Sequence, residues 1–454
     1  MTLDLAGQIV ELVSRRAGTA AQTEVVVHSA AEGLTRFANS TIHQNVAADT
    51  TTVRLRLHAD GRTAAGSTTL TGAAGLESLV ERTVAAARLS PPDPGWPGLA
   101  PPAPLAMERG GVDEATAHAS PEERAARVRE FVRAAGGLET AGYCRTSSWS
   151  AAFANSAGQS VEGRAAEAAM DGIARTGDAD GVARLAVGRF ADLDGGTLGA
   201  RAAAKARAAE RAVELPPGRY EVVLEPDAVA DLLANLSWFG LNGKAFAEGQ
   251  SFADLGAAQF DPAVTIVDEP LGRGGEPAPG LPFDVEGTPR SALTLVSGGT
   301  TTAVTHDRHS AAEAGTTSSG HASPSSRTWG PIAAHLRLEP ASGAATSDPA
   351  RPLLAAISRG LLITDLWYTR VLDQKSLVVT GLTRNGVWLV EDGEVITAVS
   401  NLRFTQSYPR ALEPGAVRGI GTTAVSLPDG WAGARYVVPA LHLASWNVTG
   451  NASG

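Results

Sequence analysis

Cysteine is almost missing from this chain: Cys144 is the only one in 454 residues. No disulfide can form within the chain, and a cysteine-rich metal site is excluded. Aromatic residues contribute only 5%, while glycine occurs 50 times. Tight turns and small-residue contacts therefore carry much of the packing, which suits a β-rich architecture. Lysine is confined to Lys205, Lys244 and Lys375, and no Lys/Arg cluster with interleaved aromatics occurs. With a net charge of -10, the chain lacks the basic surface that a general nucleic-acid binder needs to neutralise phosphates. No apolar run is long enough to span a bilayer. The first residues, MTLDLAGQIVELVSRR, hold no apolar signal core, and a cytoplasmic home is expected. There is no Gly-x-Ser-x-Gly elbow for a serine nucleophile. Gly272-Arg273-Gly274-Gly275 and Ser297-Gly298-Gly299 do not stand between a strand and a helix, so they read as turns rather than phosphate loops.

What is present is the pattern of a folded protein: 43% hydrophobic and 19% charged residues, in a length that argues for two or three domains. Leu5, Ile9, Leu12 and Val13 share a helix face. A strand from Glu24 to Ser29 leads into AEGLTRFANSTIHQNV. There Glu32-Gly33 is expected to turn, Leu34 to Ala38 to run extended, and Asn39-Ser40 to turn again. Thr50 to His58 alternates, with Val53, Leu55 and Leu57 on one face. Gly75 to Leu89 reads as a helix on that sheet. Residues 91–104, PPDPGWPGLAPPAP, form an extended connector, because proline fixes φ and removes donors. Ser120-Pro121-Glu122-Glu123 is a capping box with proline at the first helical position. Leu138 to Met170 reads as strands, with a turn at Asn155-Ser156-Ala157-Gly158. Cys144 falls in one of them, where a lone thiol is inert packing. Leu198 to Val213 reads as an Ala-rich helix ended by Pro216-Pro217-Gly218. Beyond it, strand Tyr220–Leu224 and helix Pro226–Phe239 precede a series of short apolar runs broken by Gly, Pro, Asp and Ser. The expected architecture is α+β: a sheet-and-helix domain over 1–213, then a large antiparallel β domain over 219–454, each packed separately.

Three stretches resemble the TldD/PmbA family, also called modulators of DNA gyrase. They are the opening hairpin, Phe283-Asp284-Val285-Glu286-Gly287, and the hairpins from Leu361-Leu362-Ile363-Thr364-Asp365 through Thr380-Gly381 to Glu391-Asp392-Gly393-Glu394. The last is closer to the PmbA-like (TldE-like) half of the family than to the catalytic half. The resemblance implies a bacterial zinc metallopeptidase complex, in which a zinc-bearing subunit pairs with a TldE-like subunit and cleaves short or unfolded peptides. The catalytic half carries His-Glu-x-x-x-His on the helix after a strand, where two imidazoles hold zinc and the glutamate serves as base. The matching stretch here is YEVVLEPDAVADLLANLSWFG, and its motif positions are Ala234, Asn235 and Phe239. None is a ligand, no His-Glu pair occurs anywhere in the chain, and no cysteine lies near Asp429 to Tyr436.

The resemblance therefore implies a chain without its own zinc or catalytic residues. Its partner would be a zinc-bearing TldD-like paralogue in a heterodimer, its ligand an extended peptide, and alone it would form a homodimer. Asp284, Glu286 and Gly287 are the family-motif residues. The two carboxylates are expected on one face of an edge strand, holding the turn at Gly287 by backbone hydrogen bonds. Two alternatives stand beside this reading. One is a homodimeric peptide-binding protein. The other is a self-sufficient metal hydrolase built on His306 and His309, with Glu313 and His321 downstream. Its segment is Gly/Ser/Thr-rich and reads as loop, where polar histidines are usually solvated or bonded to backbone.

Overall fold

The structure is a computed structural model that describes residues 2–106, 111–429 and 433–452. Residues 430–432, inside the Asp429–Tyr436 segment, lie outside the described residues. The first sheet has six strands: β1 (Gln22–Ala38), β2 (Thr41–Ala59), β3 (Arg62–Thr68), β4 (Glu139–Asn155), β5 (Ser160–Arg175) and β6 (Asp180–Val187), in the order β3-β2-β1-β4-β5-β6. All its pairings are antiparallel. Asn39 and Ser40 (φ 50° and 58°) and Asp60 and Gly61 (φ 50° and 70°) make the left-handed two-residue turns that strand twist favours. Glu32-Gly33 does not turn; β1 runs straight through it. Glycine is needed there for a close approach, since a Cβ on Gly33 would lie 2.4 Å from the Arg124 guanidinium.

One face of this sheet is covered by helices. Val25, Val27, Val53, Leu55 and Leu57 pack against α1 (Thr2–Ala17) and α2 (Ala73–Leu89). After the short α3 (Glu114–Ala117), α4 (Pro121–Ala134) and α5 (Gly195–Ala208) cover Cys144, Ala168 and Met170. The capping box on α4 is complete: Glu123 N donates to Ser120 Oγ (3.2 Å) and Ser120 N to Glu123 Oε2 (2.7 Å). Burial pushes the Cys144 thiol up to about 12, so it is inert packing. Helix α5 stops at Ala208, short of the expected Val213. Val213 is drawn instead into strand-like bonds, donating to Ala398 O and accepting from Ser400 N, both at 2.9 Å.

The second half holds two more sheets. Strand β7 (Gly218–Leu224) leads into α6 (Pro226–Asn235), and α7 (Gly243–Ala247) follows. Then come β8 (Ile266–Asp268), β9 (Leu293–Ser297), β10 (Thr300–Thr301), α8 (Arg308–Glu313), α9 (Ser326–Trp329) and β11 (His335–Leu338). The last strands are β12 (Arg359–Asp373), β13 (Val378–Glu391), β14 (Glu394–Ala398), β15 (Leu402–Ser407), β16 (Val417–Ile420), β17 (Val425–Pro428), β18 (Arg435–Val438) and β19 (Leu441–Asn451). One sheet runs β10-β9-β8-β11-β18-β17; the other runs β12-β7-β19-β15-β13-β14, with β16 on β19. Because β12 also pairs β13, the second path closes into a ring. The domain is predominantly antiparallel, as expected; two ladders, β11–β18 and β12–β7, are parallel. Parallel neighbours need long crossovers, and runs of short apolar segments do not reveal which strands such a crossover joins. Val222, Leu224, Ile266, Leu295, Leu336, Leu361, Phe404 and Trp446 fill one core between the two sheets.

Each of the three sheets draws its strands from one side of Pro216-Pro217, yet the halves share a wide contact. The face of the first sheet turned away from its helices meets the second half. Phe153 packs on Phe283 and Val285, and Pro282 sits so close to Gly163 that a Cβ there would lie 2.3 Å from its ring.

Candidate functional site

The helix that follows β7 is built by a proline at its first turn and by an apolar stripe, Ala228, Val229, Leu232, Leu233, that faces the core. Its other face, Asp227, Asp231 and Ala234, lines a cleft of about 590 Å³. The opposite walls come from Tyr143, Asp171 and Arg184 of the first sheet, from Asp365 to Arg370 of β12, and from Tyr436. Helix α6 ends in a single π turn, Leu236–Gly240, closed by Leu241 N donating to Leu236 O (2.7 Å). The wide turn sits inside the five-residue step from Ala234 to Phe239. A π turn brings residues five apart toward one face, where an α turn would separate them, and such turns concentrate at functional sites.

Ala234 therefore stands at the cleft, but it offers only a methyl group. Asn235 is buried, and its amide donates back to Asp231 O (2.9 Å) and Asp231 Oδ2 (3.2 Å). Phe239 packs on the core. These three residues do not fit a zinc ion: they supply no imidazole, thiolate or carboxylate.

The polar chemistry of the cleft lies around them. Arg184 donates to Asp171 (3.0 Å), Asp227 (2.9 Å) and Asp365 (2.9 Å). Burial alone would lower its pKa, but Asp365, Asp171 and Asp227 reverse this and hold the guanidinium charged. Burial raises the Asp365 carboxyl, against the opposing pull of Arg184. Asp231 is raised to about 7 by burial, although it accepts from Thr369 Oγ1 (2.8 Å) and Tyr408 Oη (2.9 Å). Beyond Ile363 no strand among the described residues pairs with β12 on its β7 side, so the segment carrying exposed Trp367 and Tyr368 presents a strand edge to the cleft.

The alternative metal cluster is not assembled. The segment predicted as loop begins with a helix, α8, because Asp307 caps it: Ser310 N and Ser310 Oγ both donate to Asp307 Oδ1. His306 Nδ1 meets Ser310 Oγ (3.2 Å), and His309 Nδ1 donates to Gly95 O (3.0 Å) with Glu313 beside its other nitrogen (3.3 Å). His321 Nε2 donates to Asp268 Oδ2 (3.1 Å). Among the described residues no three His, Cys, Asp or Glu side chains are grouped to hold a metal ion.

His321 belongs instead to a buried network with His335, whose backbone N–H donates to Asp268 Oδ1 (2.7 Å). Burial lowers the His335 ring from 6.5 to about 4, with Asp268 opposing. The unfolded chain then takes the proton first as pH falls. From this residue, stability is expected to be full above about pH 6.5 and to fall toward pH 4, by roughly 1.4 kcal/mol per unit. Urea midpoints between pH 8 and pH 5 check this. His335→Gln should show a shallower slope than the parent chain, and equal slopes refute it.

The Phe283–Gly287 element also departs from expectation. It is a turn rather than an edge strand, and its two carboxylates separate. Asp284 holds the turn as foreseen, its Oδ1 accepting from Glu286 N (2.9 Å) and Thr288 N (3.0 Å), and Gly287 adopts φ 73°. Glu286 faces the first sheet, accepting from Arg56 Nη2 (2.8 Å) and Arg308 N (2.9 Å). Alternation could not place it there, because its partner is 230 residues away.

Residues 217–450 match the family model of the PmbA/TldA metallopeptidase C-terminal domain, and residues 23–87 match that of PmbA/TldA metallopeptidase domain 1. The chain belongs to the TldD/PmbA family. Solved structures share its fold. TldE from Thermococcus kodakarensis superposes with a TM-score of 0.86 at 16% identity, over 98% of this chain and 100% of that one. A Thermotoga maritima protein recorded as a candidate modulator of a DNA gyrase gives 0.83 at 17% identity, over 98% and 99%. A Bacteroides thetaiotaomicron protein recorded likewise gives 0.82 at 18%, over 98% of both chains. No curated protein matches the sequence. Within this TldD/PmbA chain, sequence reasoning located the helix but missed Arg184, Asp227, Asp231 and Asp365 around it. The one available signal was Asp227 and Asp231 at i, i+4, a spacing that puts both on one helix face.

Proposed function

We propose that this chain is the non-catalytic, TldE/PmbA-like subunit of a cytoplasmic zinc peptidase of the TldD–TldE type. Its zinc-bearing TldD-like paralogue supplies the metal, and the α6 cleft with the open β12 edge holds an extended peptide by added-strand pairing. On its own the chain forms a homodimer. The single observation that carries this reading is the α6 face: the helix after β7, its wide turn and a cleft are present, while Ala234, Asn235 and Phe239 provide no ligand.

The test is reconstitution. The purified chain alone is expected to hold no stoichiometric zinc and to cleave no peptide. Mixed with a zinc-bearing paralogue at micromolar concentration, it should co-elute and yield peptidase activity that chelators abolish. A paralogue whose His-Glu-x-x-x-His is replaced by alanines should yield none. About one tightly held zinc per chain in this protein alone, or paralogue activity unchanged by its addition, overturns the proposal.

A further inference from the structure

Strand β2 has 19 residues, but its outer neighbour β3 has only 7. Register pairs β3 with Val53 to Ala59 of β2, while β1 pairs with β2 from Thr41 to His58. From Thr41 to Thr52 the outer edge of β2 therefore meets no strand among the described residues. At about 3.4 Å per residue this edge runs for about 40 Å. The Asp60-Gly61 turn fixes which backbone groups it shows. A two-residue turn of this kind closes on a hydrogen-bonded pair, Ala59 with Arg62. Odd-numbered residues of β2 then bond toward β3 and even-numbered ones toward β1. Carried past Val53, the same alternation turns the N–H and C=O groups of Thr51, Asp49, Ala47 and Asn45 outward. Every residue from His43 to Thr50 is exposed, on both faces of the strand.

Folded proteins blunt such an edge with lysine, proline, a bulge or a covering loop. Residues 41–52, TIHQNVAADTTT, hold no lysine, arginine, glutamate or proline. The register shift on this ladder lies opposite Arg36 and Phe37, at the turn end, and leaves Gln44 to Thr52 regular. Two features say what covers the edge. Exposure on both faces leaves no pockets for alternate side chains, which selective capture of a peptide by strand addition requires. The charge pattern suits a second copy of the same strand. His43 and Asp49 are the only titratable residues in the stretch, they stand on either side of Val46, and neither side chain forms an ion pair among the described residues. An antiparallel copy brings each His43 toward Asp49 of the other and sets exposed Val46 near its twin. A parallel copy in register would set like against like.

We infer that a second copy of the chain docks on this edge, β2 against β2, antiparallel about a two-fold axis near Val46-Ala47, so that two six-stranded sheets become one continuous sheet. The inference rests on the homodimer reading above and names the surface for it. A two-fold axis makes the contact self-complementary, so every hydrogen bond and every approach of His43 to Asp49 occurs twice. The outward N–H and C=O groups of Asn45, Ala47, Asp49 and Thr51 gain partners of the kind that the rest of β2 finds in β3. No residue from 41 to 52 lines the α6 cleft, so pairing on β2 leaves the cleft residues free.

Cysteine scanning of the full chain, without zinc or a paralogue, tests this. The native thiol, Cys144, is buried and inert. Asn45→Cys, Val46→Cys, Ala47→Cys and Ala48→Cys, with His43→Cys and Thr51→Cys as outer controls, are oxidised mildly and run on a non-reducing gel. Residues directly opposed across an antiparallel pair stand about 4.5–5.5 Å apart at Cα, within disulfide reach, whereas twins one residue off the axis stand about 8 Å apart. Linked dimer is therefore expected at one position between Asn45 and Ala48, with little at His43 or Thr51. Ala47→Pro removes an outward N–H that the chain itself does not use, and an edge strand accepts proline there, so this variant should keep the parent's circular dichroism. By symmetry it removes two hydrogen bonds from the dimer, and the dissociation constant should rise about tenfold or more. Ala47→Lys keeps the N–H but sets like charges near the axis, and should weaken the dimer too. Even linking at all six positions, strongest linking at a control, or unchanged sedimentation of both Ala47 variants overturns the inference. A dimer in sedimentation that no cysteine links overturns it and leaves the homodimer reading standing, whereas a parent chain that stays monomeric at tens of micromolar removes both. None of these results bears on the zinc reconstitution.

Discussion

Replacing Arg184 by Met is expected to cost about 3–5 kcal/mol of stability at pH 7, as removal of one partner from a buried ion cluster does. The guanidinium is the common donor to Asp171, Asp227 and Asp365, at 2.9–3.0 Å. Asn385 Nδ2 still donates to Asp365 (3.0 Å) in the variant, but no cation remains to offset three neighbouring carboxylates. The cost should shrink on acidification. Asp365 is already pushed up by burial; without Arg184 its folded pKa rises further, and a raised carboxyl penalises the fold as pH climbs above its unfolded value near 3.9. Urea midpoints of Arg184→Met and the parent chain should therefore diverge at pH 7 and converge near pH 4. Asp365→Asn added to Arg184→Met should recover part of the loss. A midpoint unchanged at pH 7 refutes the assignment.

The mirror-image substitution, Glu167→Gln, is expected to be as damaging, about 3–5 kcal/mol, but with a different pH signature. Glu167 is the only carboxylate in salt-bridge contact with Arg145 and Arg435 among the described residues, at 3.2 and 3.1 Å, and all three side chains are 8% exposed or less. Arg435 Nη2 already lacks an acceptor. Removing the carboxylate strands two guanidinium charges, and guanidinium does not shed its proton at any ordinary pH. The deficit should therefore persist from pH 5 to pH 8. Arg435→Met in the Glu167→Gln background should reduce it. Recovery on acidification, or a loss within the ±0.5 kcal/mol typical of surface changes, counts against this account. Because Glu167 lies on β5 and Arg435 on β18, the same variant should also loosen the contact between the two halves. That would show as faster proteolysis near Pro216-Pro217.

Both clusters lie on the same face of the first sheet. The strand registers put Tyr143, Arg145, Ser147 and Phe153 of β4 on one face, with Asp171, Ala169, Glu167 and Val161 opposite them on β5, so Arg145 reaches Glu167 diagonally. Arg184 of β6 continues from Asp171. Glu24 of β1 and Arg56 of β2 extend the face at its other end. Three charged groupings and one apolar patch thus meet the second half along a single surface.

Local rules were enough for much of this molecule. The alternation of Val53, Leu55 and Leu57 against Arg54, Arg56 and His58 is a period-2 signal that one buried face imposes, and it holds in the sheet. Asn39-Ser40, Asp60-Gly61 and Asp392-Gly393 tolerate positive φ at little cost, so their turns were legible without any tertiary information. Ser120 and Glu123 satisfy each other's backbone donors within one turn, so the start of α4 was legible too. The family likeness and the lack of any His-Glu pair rest on residue identity alone.

Tertiary structure decided the rest, because each remaining feature depends on a partner far along the chain. Gly33 reads as a turn residue until Arg124 occupies the space its side chain would fill. Glu286 reads as a turn holder until Arg56 arrives from the first sheet. Leu198 to Val213 reads as one helix until Ala398 and Ser400 draw Val213 away. The alternative grouping of His309 and His321 is undone by Gly95 and Asp268, 214 and 53 residues away. Propensity and periodicity act over a turn or a strand. Which buried charge meets which is set by how two sheets separated by more than a hundred residues come face to face.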